Sequence, residues 1–149
     1  MPLVCRQSRA ALCQPIKFTP GNRKLANASG NKILIVDDDP TLCLGLNVRL
    51  RASHYDLCFA HDGEFALSVA LIEKPDLIIL DLGLPRGDGY FVLHAIKKLP
   101  ELAAVPVIVL TARDRFTHES LCRDAGAKRF FEKPVDNRLL LNTIEELVN

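Results

Sequence analysis

The stretch Ile33-Leu34-Ile35-Val36-Asp37-Asp38-Asp39-Pro40 is an apolar run that passes straight into three carboxylates and a proline. A short, β-branched apolar run bounded by a turn signal reads as a buried strand. Pro40 suits a first helical turn, where its missing N–H is no loss, and Asp39 before it reads as the helix N-cap. A second run, Leu77-Ile78-Ile79-Leu80, ends in the same way on Asp81. In a parallel α/β sheet the carboxyl ends of neighbouring strands open onto one crevice, so acids just past two strands can meet there. Clustered carboxylates repel one another and lose hydration, so they need a cation. Hard oxygen donors in such number suit Mg²⁺, which keeps several waters and takes phosphate oxygens as further ligands. The pattern therefore implies a metal-assisted phosphoryl site.

Outward from these two runs, β-rich segments alternate with helix-length ones from Lys32 onward, the pattern of repeated βαβ units. Strands are expected at Lys32–Val36, Asp56–Ala60, Leu77–Leu80, 107–110 and Arg129–Glu132, the third and fourth apolar throughout, as central strands covered on both faces should be. Helices are expected to start near Pro40, Gly63, Gly89, Asp114 and Asn137. Leu42, Leu46 and Leu50 recur every fourth residue in the first. Val92, Ala95, Ile96 and Leu99 make one face of the third, and Leu140, Ile144 and Leu147 one face of the last. The expectation is one compact three-layer α/β domain of the doubly wound (βα)5 type over 32–149, preceded by a flexible extension over 1–31.

The chain has 149 residues, 48% hydrophobic and 25% charged, which fits a single globular domain with a sizeable core. Its formal charge of +1 hides an asymmetry: residues 1–31 carry Arg6, Arg9, Lys17, Arg23 and Lys24 and no acid, leaving 14 cations against 18 acids, a net of −4, beyond them. Five scattered cations read as a solvated leader ahead of a nucleic-acid arm. No apolar stretch approaches the roughly 18 residues that span a bilayer, and Ala10-Ala11-Leu12-Cys13 is too short for a secretory signal, so a cytoplasmic location is expected. Cys5, Cys13, Cys43, Cys58 and Cys122 are odd in number and lack CxxC spacing, which favours reduced thiols over disulfides or zinc ligands.

A dinucleotide-binding domain would place a glycine-rich turn after its first strand. Three aspartates stand there instead, and no Walker-type loop occurs elsewhere. The loop after Asp81, Leu82-Gly83-Leu84-Pro85-Arg86-Gly87-Asp88-Gly89, has the Gly and Pro of a rigid, shaped turn. The last two strand ends add what a phosphoryl site wants. Thr111, followed by the small Ala112, brings a hydroxyl able to donate to a phosphoryl oxygen; Lys133 brings a point cation, and Pro134 can fix its loop, a cis peptide bond being one way.

The ordered set Asp37 and Asp38, Asp81, Thr111 and Lys133-Pro134, each at a successive strand end, resembles the receiver domain of two-component response regulators, CheY-like proteins. The likeness runs from about Lys32 to Val148 and takes in Gly87-Asp88-Gly89 and Ala125-Gly126-Ala127. It implies a flavodoxin-like fold with sheet order 2-1-3-4-5. It implies that Asp81 is the phosphoacceptor for a histidine kinase or a histidine phosphotransfer protein. It further implies that Asp37, Asp38, Asp81 and the Gly83 backbone carbonyl hold Mg²⁺, and that Lys133 offsets phosphoryl charge. Thr111 and Phe130 would be the switch, altering a face formed by the fourth helix, fifth strand and fifth helix where a protein partner docks. Such a chain catalyses only its own phosphorylation and dephosphorylation and is not an enzyme in the usual sense.

Departures from the family pattern matter too. Many transcriptional members carry acids just before the aromatic position and use them in a symmetric dimer, whereas Lys128 and Arg129 stand here, so a monomer or weak dimer is expected. Gly83 and Arg113, two residues after Asp81 and Thr111, occupy positions that influence dephosphorylation in the family. No DNA-binding output domain is expected. The alternatives are a receiver-like interaction module independent of phosphorylation, a phosphatase of the haloacid dehalogenase type and a nucleic-acid binder. The second wants an acid two residues after its nucleophile, where Gly83 stands.

Overall fold

The computed structural model of the chain describes residues 30–86 and 88–149. The basic leader over 1–29, with Cys5 and Cys13, and Gly87 of the Gly87-Asp88-Gly89 stretch lie outside the described residues. Five βα units follow one another: β1 Lys32–Val36, α1 Pro40–Ala52, β2 Asp56–Ala60, α2 Gly63–Glu73, β3 Leu77–Leu80, α3 Gly89–Lys98, β4 Val107–Thr111, α4 Arg115–Asp124, β5 Arg129–Glu132 and α5 Asn137–Val148. The strands form one sheet in the order β2-β1-β3-β4-β5, every neighbouring pair parallel. This is the flavodoxin-like doubly wound arrangement.

Alternation along the strands sorts the core into two layers. Ile33, Ile35, Leu77, Ile79, Ile108 and Leu110 point to the side covered by α1, through Cys43, Leu46 and Leu50, and by α5, through Leu140 and Ile144. Leu34, Val36, Ile78, Leu80, Val107 and Val109 point to the other, where Ala66 and Val69 of α2, Val92 and Ile96 of α3 and Cys122 of α4 pack. Both faces of β3 and β4 are therefore sealed, which is why these runs carry no polar residue before their ends. Every helix begins on an aspartate N-cap whose carboxylate accepts amide hydrogen bonds from the first turn: Asp39, Asp62, Asp88, Asp114 and Asp136. The fourth helix thus starts at Arg115, one residue after the expected Asp114, which serves as its cap. Cys43, Cys58 and Cys122 are free and buried. Burial pushes the Cys43 thiol up to about 11 and Cys58 up to about 12, so both stay protonated packing residues. Among the described residues no helix is long and apolar enough to cross a membrane.

Candidate functional site

Strand register decides which side chains meet. Val36 pairs with Leu80, so the next residues, Asp37 and Asp81, leave adjacent strands at the same level. The ladder carries one step further: the Asp81 amide donates to the Val36 carbonyl at 2.9 Å and the Asp37 amide to the Ala60 carbonyl at 3.1 Å. On the far side Thr111 pairs with Glu132, and the Lys133 amide donates to the Thr111 carbonyl at 2.8 Å. Four strand ends thereby deliver Asp37, Asp81, Thr111 and Lys133 to one crevice. The Lys133-Pro134 peptide is cis.

Asp37 and Asp81 are almost wholly buried, at 2% and 7% exposure, whereas Asp38 faces solvent. One carboxylate oxygen from each of the three lies within 4.8 Å of the others. The Lys133 ammonium reaches across to Asp37 at 2.7 Å and Asp81 at 3.3 Å. The second oxygen of Asp37 accepts from the Asp39 amide at 2.9 Å, and that of Asp81 from the Gly83 amide at 3.1 Å. Burial raises the Asp37 carboxyl above its ordinary range, against the pull of Lys133 and the Asp39 amide, and the Asp81 charge adds to the rise. Burial lowers the Lys133 ammonium, but Asp37 and Asp81 outweigh it, so its pKa is raised and it stays charged. Three carboxylates against one ammonium leave the hollow short of positive charge. An all-oxygen donor set open to water on the Asp38 side fits Mg²⁺, which prefers such ligands and retains part of its hydration.

Thr111 is buried, and its hydroxyl oxygen accepts from the Arg113 amide at 3.3 Å. Phe130, on β5, is 6% exposed and packs into the core layer under α2, α3 and α4. Gly83 is exposed beside the Asp81 carboxylate, and Pro134 is exposed after Lys133.

Three features escaped sequence reasoning. Gly89 has no room for a side chain: a Cβ there would stand 2.4 Å from the Asp81 carbonyl oxygen and 2.5 Å from the Leu82 Cα. The loop after Asp81 is fastened to the start of α2 by the Gly63 and Glu64 amides, which donate to the Pro85 and Arg86 carbonyls at 3.4 and 3.2 Å. The His61 ring meets the Asp37 carbonyl at 3.0 Å. The last two join segments more than twenty residues apart, and no local motif announces them.

This crevice, on this fold, defines a class. Residues 33–145 match the family model for the response regulator receiver domain, and the chain belongs to that family. It is 33% identical over 117 residues to the protein PilH of Pseudomonas aeruginosa, covering 78% of this chain and 97% of PilH. Other curated relatives are longer, and the chain spans 44% of PhoP of Bacillus subtilis. Among solved structures, a response regulator from Chloroflexus aurantiacus superposes with a TM-score of 0.76 at 30% identity, covering 80% of this chain and 98% of that one. The receiver domain of the sensor histidine kinase PA1611 from Pseudomonas aeruginosa, with a magnesium ion coordinated in its active site cleft, gives 0.74 at 28%, covering 80% and 98%. Receiver domains are signalling phosphoacceptors of two-component systems.

Proposed function

We propose that Asp81 accepts a phosphoryl group from the phosphohistidine of a sensor histidine kinase or a histidine phosphotransfer protein. An Asp81 carboxylate oxygen attacks phosphorus, the new O–P bond forms as the donor's N–P bond breaks, and the electron pair returns to the imidazole nitrogen. The residues present fit Mg²⁺, with Asp37, Asp38, Asp81 and the Gly83 carbonyl as the protein donors. When bound, the ion supplies positive charge to the phosphoryl oxygens. The observation that carries the reading is Lys133, whose ammonium spans the two buried carboxylates at 2.7 and 3.3 Å. Held there, it offsets charge on the transferring group with no reorganisation.

Thr111 then donates its hydroxyl to a phosphoryl oxygen, exchanging the Arg113 contact for it, and Phe130 follows by repacking. The face of α4, β5 and α5 changes and selects a protein partner. Residues 32–149 form the receiver unit and 1–31 a basic extension outside it. Lys128 and Arg129 replace the acids of the symmetric receiver dimer, so the chain acts as a monomer or weak dimer.

Intact-protein mass after incubation with acetyl phosphate tests this. Wild type should gain one phosphoryl group with Mg²⁺ and none without it, and Asp81→Asn should gain none. An equal adduct on Asp81→Asn would remove Asp81 from the role.

A further inference from the structure

At the rim of the crevice, the end of β1 depends on a side chain with no part in the phosphoryl chemistry described so far. Val36 pairs with Ala60, and the Asp37 amide carries that ladder one step further to the Ala60 carbonyl at 3.1 Å. In a parallel ladder the Asp37 carbonyl would then accept from the Asp62 amide. Asp62 instead turns away to cap α2, its carboxylate accepting from the Phe65 amide at 2.7 Å, and among the described residues no backbone amide reaches the Asp37 carbonyl. Two side chains take that place. The His61 ring approaches with Nδ1 at 3.0 Å, and the Cys43 thiol of α1 donates from the buried side at 3.6 Å. A carbonyl oxygen only accepts, so Nδ1 is the ring nitrogen that carries the proton here. Cys43 keeps its proton as well, because burial and the charges of Asp37 and Asp39 push the thiol up to about 11.

The carbonyl so held belongs to the peptide that leads into Asp38. The Asp37 side chain is fixed separately, by the Lys133 ammonium at 2.7 Å and the Asp39 amide at 2.9 Å. Asp38 is exposed, and its carboxylate has no hydrogen-bond or ion-pair partner among the described residues, so the backbone alone sets its direction. We infer that His61 is a positioning residue: by donating its Nδ1–H to the Asp37 carbonyl it sets the 37–38 peptide and aims the Asp38 carboxylate at the hollow it shares with Asp37 and Asp81. The inference rests on the Mg²⁺-assisted phosphoacceptor reading above and adds a residue to it. Cys43 alone holds that carbonyl weakly, a thiol being a weak donor. Fixing the ligand's backbone in advance spares the ion the cost of ordering it, and partners of this kind carry about 10- to 100-fold in metal affinity.

The test uses the full chain as wild type, His61→Leu and His61→Asn. Leucine keeps the branched outline without a donor, whereas asparagine carries an N–H on the atom bonded to Cγ, as Nδ1 does. Mg²⁺ affinity is read from the amide chemical shifts of Asp38 and Gly83 during titration. His61→Leu should bind Mg²⁺ about tenfold more weakly than wild type and His61→Asn should recover most of the loss, while the two variants melt alike without Mg²⁺. The Mg²⁺ concentration for half-maximal phosphoryl incorporation from acetyl phosphate should rise in parallel. In wild type without Mg²⁺, the imidazole nitrogen shifts in mildly alkaline buffer should be those of the Nδ1–H tautomer. His61→Leu binding Mg²⁺ as tightly as wild type, His61→Asn binding as weakly as His61→Leu, His61→Leu melting well below His61→Asn without Mg²⁺, or an Nε2–H tautomer would each overturn the inference while leaving Asp81 as the phosphoacceptor. The expected order of Mg²⁺ affinities in a chain that takes no phosphate would instead leave the inference standing and overturn the phosphoacceptor reading.

Discussion

Lys133 faces Asp37 at 2.7 Å and Asp81 at 3.3 Å, and each carboxylate is buried. Lys133→Met should therefore leave two close acids without their ammonium and slow phosphoryl incorporation from acetyl phosphate by about 10²- to 10³-fold, the range for removing one preorganised charge-stabilising group. An unchanged rate would assign Lys133 to structure alone. Gly89 makes a different demand, because the atoms a Cβ would strike are the backbone of Asp81 and Leu82, which cannot swing aside. Gly89→Ala should cost about 1–3 kcal/mol in urea unfolding. At Gly83, by contrast, a Cβ meets the Asp81 carboxylate at an ordinary 3.8 Å, so Gly83→Ala should leave stability within error. Asp37, Asp38, Asp81, Thr111 and Lys133 were legible because each follows a β-rich run, and parallel strands bring such positions together. Gly89 was not. A glycine opening a helix looks ordinary, and only the return of α3 across the Asp81 loop crowds it.

At the scale of elements, the strands were legible from composition, since Leu77–Leu80 and Val107–Thr111 fill both layers of core and bear hydrophobic residues at every inner position. The helix starts at Pro40, Gly63, Gly89 and Asn137 fall where the sequence placed them, each behind an aspartate N-cap. What holds one helix to another was not legible, and α3 with α4 is the clearest case. Tyr90 in the first turn of α3 meets His118 of α4, phenol oxygen to Nδ1 at 2.5 Å with ring centroids 5.9 Å apart, from positions 28 residues apart in the chain. Burial first, then the neighbouring Cys122 thiol, pushes the Tyr90 phenol up to about 12. An unfolded tyrosine titrates near pH 10, so its contribution is intact below that pH. It is lost as pH rises towards 12, because the unfolded chain releases the proton first. Tyr90→Phe should lose about 1 kcal/mol at neutral pH, the net worth of one hydrogen bond. Its denaturation midpoint should then fall less steeply than that of wild type between pH 10 and 12. Parallel curves for the two proteins would contradict the raised phenol.

For the molecule as a whole, the crevice is where charge and fold conflict. Asp37 and Asp81 are buried in the sheet's carboxyl edge with a raised Asp37 pKa, so a cation bound there should stabilise the folded chain. Mg²⁺ at a hundredfold excess over its dissociation constant should stabilise the fold by about 2.7 kcal/mol, read as a rise in melting temperature. Asp38 is exposed, so Asp38→Asn should fold as wild type does yet lose most of that rise. A rise of equal size in the variant would remove Asp38 from the ion's ligands. The central claim, that Asp81 is the phosphoacceptor, is tested most directly by locating the modification. The chain is treated with acetyl phosphate and Mg²⁺, reduced with borohydride, which converts an aspartyl phosphate to homoserine, and mapped by peptide mass. Homoserine at position 81, dependent on Mg²⁺, is the expected result; homoserine at Asp37 or Asp38 with Asp81 unmodified would contradict the account.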